Sequence, residues 1–572
     1  MSRYFHAVAV DYDGTLTRDP RPTLEVLDAV AAVRDHGYKV VLVTGRILTE
    51  LRADFPDVDQ HFDCIVGENG AVLSTLHGSR LLASPVDAAL EYDLKRKGLQ
   101  IRRGEVLLAT AAVDDEIVTS AIDRLGFECQ IVRNRSALMV LPSGTNKGSG
   151  LIEALAELGI SPHNTVGIGD AENDHSLLDV SEIGVAVGDA VPSLKARADV
   201  VLPEEDGSAV RAFLVGPLPG DLVGTQSKRR VIALGTYDDG TTAIVPASRV
   251  TISIEGATGT GKSYVAGLIA EQLIQMDYTI CILDLEGDHL ALGALHGVVS
   301  VGGREPLPPP AQIDRFIRQG FTSVVIDLSL QAPDVKRRYA LAILDQLRRT
   351  RAAVGLPHWI ILDEAHVPIA GGSQHCWRGS DDSGLCFITY RPDVLEAELD
   401  HIADFVISAR ADRLMTLKGR DDDGPARMFA ASDRVTAHVR HWHKYIEGQL
   451  PAERRFYFRD GHGLTGQSAG NLLEFRDEIR QASVDTLRHH AAHGDFSRWL
   501  SSVCPAPSIV NATQAAEREM ADTARADDLE HVRDHMVRAL DGKGTAAPPA
   551  LRSDIGARPD QGLTLLAHQP KP

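Results

Sequence analysis

Ala7-Val8-Ala9-Val10-Asp11-Tyr12-Asp13-Gly14-Thr15 decides how the first third of the chain is read. An unbroken run of small and branched apolar residues predicts a buried strand, and two acids follow at its C-terminal end, where parallel α/β sheets place their ligands. Residues two apart in extended chain point the same way, so Asp11 and Asp13 can face one pocket. Strand-like runs at 7–10, 39–44, 165–169 and 184–187 alternate with helical patterns such as 24–36, which predicts a doubly wound, Rossmann-like parallel sheet. Residues 84–143 interrupt it with an order of their own: helix, strand, helix and two strands, read as a small α+β cap.

The acids suit phosphoryl chemistry. Asp11 is placed to attack phosphorus and Asp13 to protonate the leaving oxygen and then activate water; a second acid fits a phosphatase, which must discharge its phosphoenzyme. Thr44 ends the strand 40–44 with a hydroxyl suited to a phosphoryl oxygen, and Lys147, in Gly144-Thr-Asn-Lys-Gly148, supplies a compensating cation. Asp170, Asn173 and Asp174, in Gly167-Ile-Gly-Asp-Ala-Glu-Asn-Asp174, end another strand with oxygen ligands for Mg²⁺.

These motifs, in this order over about residues 5–215, closely resemble the haloacid dehalogenase superfamily. The resemblance implies that Asp11 is the nucleophile, Asp13 the general acid/base, Thr44 the phosphate-binding hydroxyl and Lys147 the stabilising lysine. Asp170 is then a magnesium ligand supported by Asn173 or Asp174, and the expected metal set also includes Asp11 and Asp13. Gly67-Glu-Asn-Gly-Ala71 and the position and size of the cap look like the branch acting on sugar phosphates and phosphoglycolate. Arg102, Arg103, Arg133 and Arg135 are candidate anion contacts on that cap, although surface arginines without such a role are commoner.

A second phosphate motif lies mid-chain. Gly256-Ala-Thr258-Gly259-Thr260-Gly261-Lys262-Ser263 follows a strand and opens a helix, the context in which backbone amides cradle a nucleotide triphosphate. Lys262 would reach the β- and γ-phosphates of ATP, and Ser263 would ligate Mg²⁺. Asp363 and Glu364 end the strand Ile360-Ile-Leu-Asp363, the first on the metal side and the second able to polarise water. Leu234-Gly-Thr-Tyr-Asp-Asp-Gly, Asp284-Leu-Glu-Gly-Asp288 and Phe387-Ile-Thr-Tyr390-Arg-Pro then resemble the HerA/FtsK class of hexameric translocases over about residues 229–445. Tyr390 stands where that class usually carries glutamine, and 367–383 is short and Gly/Ser-rich. Arg391 and Arg410 are candidate trans-acting fingers if rings form, against a more common structural role. His366 with His375 and Cys376 lacks paired metal-ligand spacing, and His438, His441, Trp442, His443 and Lys444 read as an aromatic edge before a nucleic-acid contact.

The chain of 572 residues predicts several domains: 1–215, a Pro/Gly linker at 216–228, the nucleotide domain at 229–450, a small mainly helical domain at 451–504, and a partly helical, largely disordered tail at 505–572. A net charge of −20 argues against general nucleic-acid binding; acids outnumber bases even between 229 and 450. No apolar run approaches membrane-spanning length, and six scattered cysteines suggest no disulfide framework, so a cytoplasmic protein without membrane contact is expected. The leading expectation is a Mg²⁺-dependent phosphatase for small phosphorylated substrates, fused to an ATP-binding and ATP-hydrolysing domain. A nucleic-acid translocase, hexameric if motor-like, with an accessory phosphatase, and a phosphatase gated by a nucleotide sensor, are the alternatives.

Overall fold

The computed structural model describes residues 3–540, except 135–136, 221, 223, 258, 370–382, 393–401, 411–412, 421, 423, 437–449, 451–454, 504–506 and 523–525. Two compact units result, one ending at Val439 and one beginning at Arg440.

The first unit holds two α/β sheets. In the N-terminal sheet the order is Val200–Val201, Ile183–Ala186, Thr165–Gly169, Ala7–Asp11, Lys39–Val43, Cys64–Gly67, Val72–Thr75, Gly78–Leu81. The strands run parallel as far as Cys64–Gly67, and the last two are antiparallel. Ala7–Asp11 is buried at every residue, as its apolar run requires. The chain runs outward in one direction from Ala7–Asp11 and in the other from Thr165–Gly169, so the switch point lies between these neighbours and their carboxyl ends form the crevice.

The cap is an antiparallel sheet ordered Arg102–Arg103, Leu108–Ala111, Ala137–Pro142, Cys129–Asn134, with helices Ala88–Arg96 and Asp115–Leu125. Alternation along Ala137–Pro142 splits its two faces: Leu138 and Val140 join the cap's own core, whereas Met139 and Leu141 join the core of the main domain. The cap is thereby seated on the main sheet by apolar contact.

The second sheet is ordered Thr242–Pro246, Val231–Tyr237, Arg427–Ala431, Leu414–Gly419, Phe405–Ala409, Thr251–Glu255, Leu385–Thr389, Trp359–Leu362, Ile280–Asp284, Ser323–Asp327, Val298–Gly302. Strands from Phe405–Ala409 to Val298–Gly302 are parallel. The remainder form an antiparallel extension closed by the hairpin Val231–Tyr237/Thr242–Pro246.

A buried polar seam joins the two domains. Glu182, fully buried, accepts from Tyr278 Oη at 2.8 and 3.0 Å and from the Ser248 hydroxyl, and lies 2.8 Å from His163 Nδ1. His163 Nε2 reaches the Met276 carbonyl at 2.8 Å, and its ring stacks on Tyr278 at 3.7 Å, with His358 edge-on to both. Burial alone would raise the Glu182 carboxyl, but His163, Arg230 and Ser248 hold it below its ordinary value. Arg229 and Arg230 donate to the carbonyls of Leu178, Asp179 and Val180. The segment read as a linker is packed rather than loose. Leu218 and Leu222 enter the N-terminal core, and Arg249 binds the Leu222 and Thr225 carbonyls.

The second unit contains the hairpin Phe456–Asp460/Gly463–Ala469 and helices Leu472–Gln481, Val484–His493, Asp495–Val503, Pro507–Asp522 and Ala526–Leu540. The expected tail is corrected in part: Ile509, Ala516, Met520, Val532, Met536 and Val537 share one core with Phe456, Phe458 and Phe475. Residues 541–572 lie outside the described part. No helix among the described residues is long and apolar enough to cross a membrane.

Candidate functional site

Asp11 ends the central strand and is 3% exposed. Lys147, at the first turn of helix Lys147–Leu158, donates from Nζ to Asp11 Oδ1 at 2.5 Å and to Asp174 Oδ1 at 2.6 Å. Asn146 caps that helix through a reciprocal bond with Ser149, which fixes where the lysine starts. Asp174 Oδ2 accepts the backbone N–H groups of Asp170 and Ala171, both at 3.0 Å, and Thr15 Oγ1 donates to Asp170 Oδ1 at 3.2 Å. Carboxylate oxygens of Asp11, Asp170 and Asp174 converge within 4.8 Å of one another, all buried.

Electrostatics follow from that packing. Burial, then the Asp174 charge, push the Asp11 carboxyl well above its ordinary range, and Lys147 opposes them. Burial alone would lower the lysine, but Asp11 and Asp174 raise it, so it stays a cation. The hard, all-oxygen set of Asp11, Asp170 and Asp174 fits Mg²⁺.

Asp13 and Asn173 stand outside this cluster. Asp13 is held in a fork by Arg46, at 2.6 Å from Nη2 and 3.0 Å from Nε, and its side chain is 44% exposed at the mouth of the crevice. The Asp13 carboxylate is thus not among the converging carboxylates and lies on the solvent side of them. Asn173 donates to Asn69 Oδ1 at 3.2 Å. Thr44 is fully buried, and its hydroxyl accepts the Arg46 N–H at 3.1 Å.

Glu68 and Gly70 were quoted only as a family marker, and the structure gives them mechanical work. Glu68, fully buried, accepts the N–H groups of Glu105, Val106 and Leu107 at 2.7, 2.8 and 3.0 Å, tying the cap to the core. Gly70, at φ 104°, lies so close to Asn146 that a Cβ would sit 1.9 Å from its carbonyl oxygen. Arg46 has no place in the sequence reading above; its position two residues after Thr44 is the available signal. The cap arginines are engaged elsewhere: Arg102 on Glu50 at 2.7 Å, Arg103 on Glu91 at 3.4 Å and Arg133 on Asp115 at 2.6 Å, while Arg135 lies outside the described residues.

In the second sheet, strand Thr251–Glu255 leads through Gly256, Gly259, Thr260 and Gly261 into helix Lys262–Gln275. Gly256 (φ 145°) and Gly261 (φ 99°) adopt left-handed conformations, and a Cβ on Gly256 would sit 2.6 Å from the Ala409 carbonyl oxygen. Thr260 Oγ1 and Lys262 Nζ donate to the Ala257 carbonyl at 2.8 and 3.0 Å, Ser263 follows on the first helical turn, and Thr258 lies outside the described residues. Asp363 ends its strand, buried, and its carboxyl is pushed well above the ordinary range by burial and then by Glu364. Glu364, at φ 47°, comes within 3.4 Å of His366 Nδ1, whose ring meets Tyr390 edge-on at 4.7 Å. Gly-loop, Ser263 and Asp363 fit the Mg²⁺ complex of a nucleotide in donor type. Arg391 and Arg410 are exposed, and His375, Cys376, His438, His441, Trp442, His443 and Lys444 lie outside the described residues.

Comparison with known proteins agrees with this division. Residues 8–120 and 109–214 match the haloacid dehalogenase-like hydrolases, and residues 249–312 match the central domain of helicase HerA. A phosphoglycolate phosphatase of Methanothermobacter thermautotrophicus is 30% identical over 222 residues, 36% of this chain and 98% of the relative. One of Methanopyrus kandleri is 30% identical over 220 residues, 36% of this chain and 94% of the relative. Among solved structures, a haloacid dehalogenase-like hydrolase of Bacteroides thetaiotaomicron, 18% identical, covers 36% of this chain and 97% of its own, with a TM-score of 0.32. With its Asp11 strand, buried lysine and capped crevice on one continuous stretch, the chain belongs to the haloacid dehalogenase-like hydrolases and carries a HerA-type region behind that domain.

Proposed function

We propose that the protein is a Mg²⁺-dependent phosphatase of small phosphoesters, phosphoglycolate or a sugar phosphate, working through an aspartyl-phosphate, and that its second domain binds and hydrolyses ATP. The observation that carries the reading is the pair of differently placed acids: Asp11 buried on Lys147, and Asp13 at the mouth on Arg46. An Asp11 oxygen attacks phosphorus and the ester P–O bond breaks, while Asp13 gives its proton to the departing alkoxide. Asp13 then takes a proton from water, whose oxygen attacks the phosphoryl group and releases phosphate and Asp11. Lys147 holds the Asp11 carboxylate in line, and the Thr44 hydroxyl orients a phosphoryl oxygen. Bound at Asp11 and Asp170, Mg²⁺ would neutralise phosphoryl charge.

Phosphate release from a panel including phosphoglycolate and sugar phosphates, with Mg²⁺ and with an ATP analogue varied, tests this. Asp11→Asn is expected to lower turnover by at least about 10⁴-fold, as removal of a covalent nucleophile does; turnover retained in that variant sinks the assigned chemistry. The buried seam favours one second reading, in which nucleotide binding gates the phosphatase. Turnover that changes with the analogue supports gating, whereas indifference to it supports independent activities.

A further inference from the structure

Beside the glycine-rich loop lies a cluster in which Asp363, read above as the metal-side acid of the nucleotide site, meets two residues that neither activity uses. Strand Ile280–Asp284 ends in Asp284, whose carboxylate draws the next turn around itself: Oδ1 accepts the N–H groups of Glu286, Gly287 and Asp288 at 3.3, 2.6 and 3.1 Å, and Oδ2 accepts that of His289 at 2.8 Å. This winding returns the His289 side chain to the strand ends. One ring nitrogen of His289, one oxygen of Asp284 and one oxygen of Asp363 lie within 4.8 Å of one another, all three residues buried.

Two features separate this cluster from an ordinary acidic corner. His289 is fully buried, and neither of its ring nitrogens has a hydrogen-bond partner among the described residues; the same holds for Asp363 Oδ2. Burying an imidazole and a carboxylate oxygen unsatisfied costs several kcal/mol in general, and a shared cation removes that cost for both. The charge balance points the same way. Asp284, Asp288, Asp327, Asp363 and Glu364 act on this region, against the ammonium groups of Lys262 and Lys336, which donate to the carbonyls of Ala257 and Leu285.

We propose that Asp284, His289 and Asp363 form a binding site for a divalent transition-metal ion, of the Mn²⁺ or Zn²⁺ type, held by the protein alone before any nucleotide arrives. One imidazole and two carboxylates suit such ions, whereas Mg²⁺ prefers an all-oxygen shell. The inference goes beyond the ATP reading because none of the three ligands comes from a nucleotide.

The test uses Mn²⁺ alone, without nucleotide, on the full chain carrying Asp170→Asn so that the phosphatase crevice contributes little Mn²⁺ signal. Electron spin-echo modulation should show ¹⁴N coupling from a directly bound imidazole, and His289→Gln should abolish it. Absence of the coupling in the parent chain overturns the proposal, as does coupling that persists in His289→Gln, which would place the ion on another histidine. Binding that appears only with an ATP analogue also overturns it, since the ion would then belong to the nucleotide. Should His289→Gln lose its fold by circular dichroism, the near-isosteric Asp363→Asn gives the second reading: Mn²⁺ affinity falling by at least about tenfold supports the site, and unchanged affinity refutes it. ATP affinity in Mg²⁺, measured on the parent chain and on His289→Gln, separates failure of this site from failure of nucleotide binding.

Discussion

The two candidate sites use the same residue types in opposite states of charge balance. In the phosphatase crevice the buried ammonium of Lys147 sits directly on Asp11 and Asp174, so the acids are compensated within the protein. In the nucleotide domain Lys262 donates to a carbonyl of its own loop, and Asp363 keeps a buried oxygen without a hydrogen bond among the described residues. The first site is an ion network in which Lys147 already holds the Asp11 and Asp174 carboxylates. The second spreads five acidic side chains around two lysines.

The largest test of this contrast is Lys262→Ala, expected to weaken ATP binding by about 100-fold, because the lysine is a principal cation of the loop and the surrounding acids then repel phosphate. Isothermal titration checks it; affinity within threefold of the parent would mean that the loop does not bind triphosphate in the expected way. Next comes the seam. Glu182→Gln removes a buried charge facing Arg230 and His163 and should destabilise the chain by about 3 kcal/mol. Calorimetry should show an earlier transition and separation of the two domains' melting; a profile identical to the parent's would show that the seam does not couple them.

A third effect is a pH dependence confined to the phosphatase side. Burial, then Arg3, lower His6 to about 4, so the folded protein holds it neutral while the unfolded chain protonates it near 6.5. The unfolded state binds the extra proton between these values. Its contribution to stability is therefore complete above pH 6.5 and is lost as pH falls toward 4, by up to on the order of 3 kcal/mol. His6→Gln should flatten the acid limb of a melting-temperature profile between pH 6.5 and 4, and a limb of unchanged slope would assign that loss to other groups.

Residues adjacent in sequence made both sites readable. The Asp11/Asp13 pair, Lys147 beside its Asn146 cap, and the glycine loop each carry their geometry locally, and the strands holding them are continuous apolar runs. Partners brought together by tertiary packing left no such trace: Arg46 on Asp13, Glu68 on the backbone of 105–107, and the seam residues His163, Glu182, Tyr278 and His358. Strands Val298–Gly302, Leu414–Gly419 and Arg427–Ala431 escaped notice because they are only partly buried and lack a clean apolar alternation. Helix Pro507–Asp522 buries Ile509, Ala516 and Met520, a stripe diluted by alanine and acids, which made a packed element read as tail.

The seam also fixes how the two candidate sites face the solvent. His163 and Asn164 precede strand Thr165–Gly169, which delivers Asp170; Tyr278 precedes Ile280–Asp284, and His358 precedes Trp359–Leu362, which delivers Asp363. Both sheets therefore meet by the starts of their strands, and their reactive ends point away from each other. The pockets therefore lie at the far ends of their sheets, back to back. A product of one pocket cannot be channelled to the other; any message between them travels as a displacement of whole strands through the stacked rings of His163 and Tyr278.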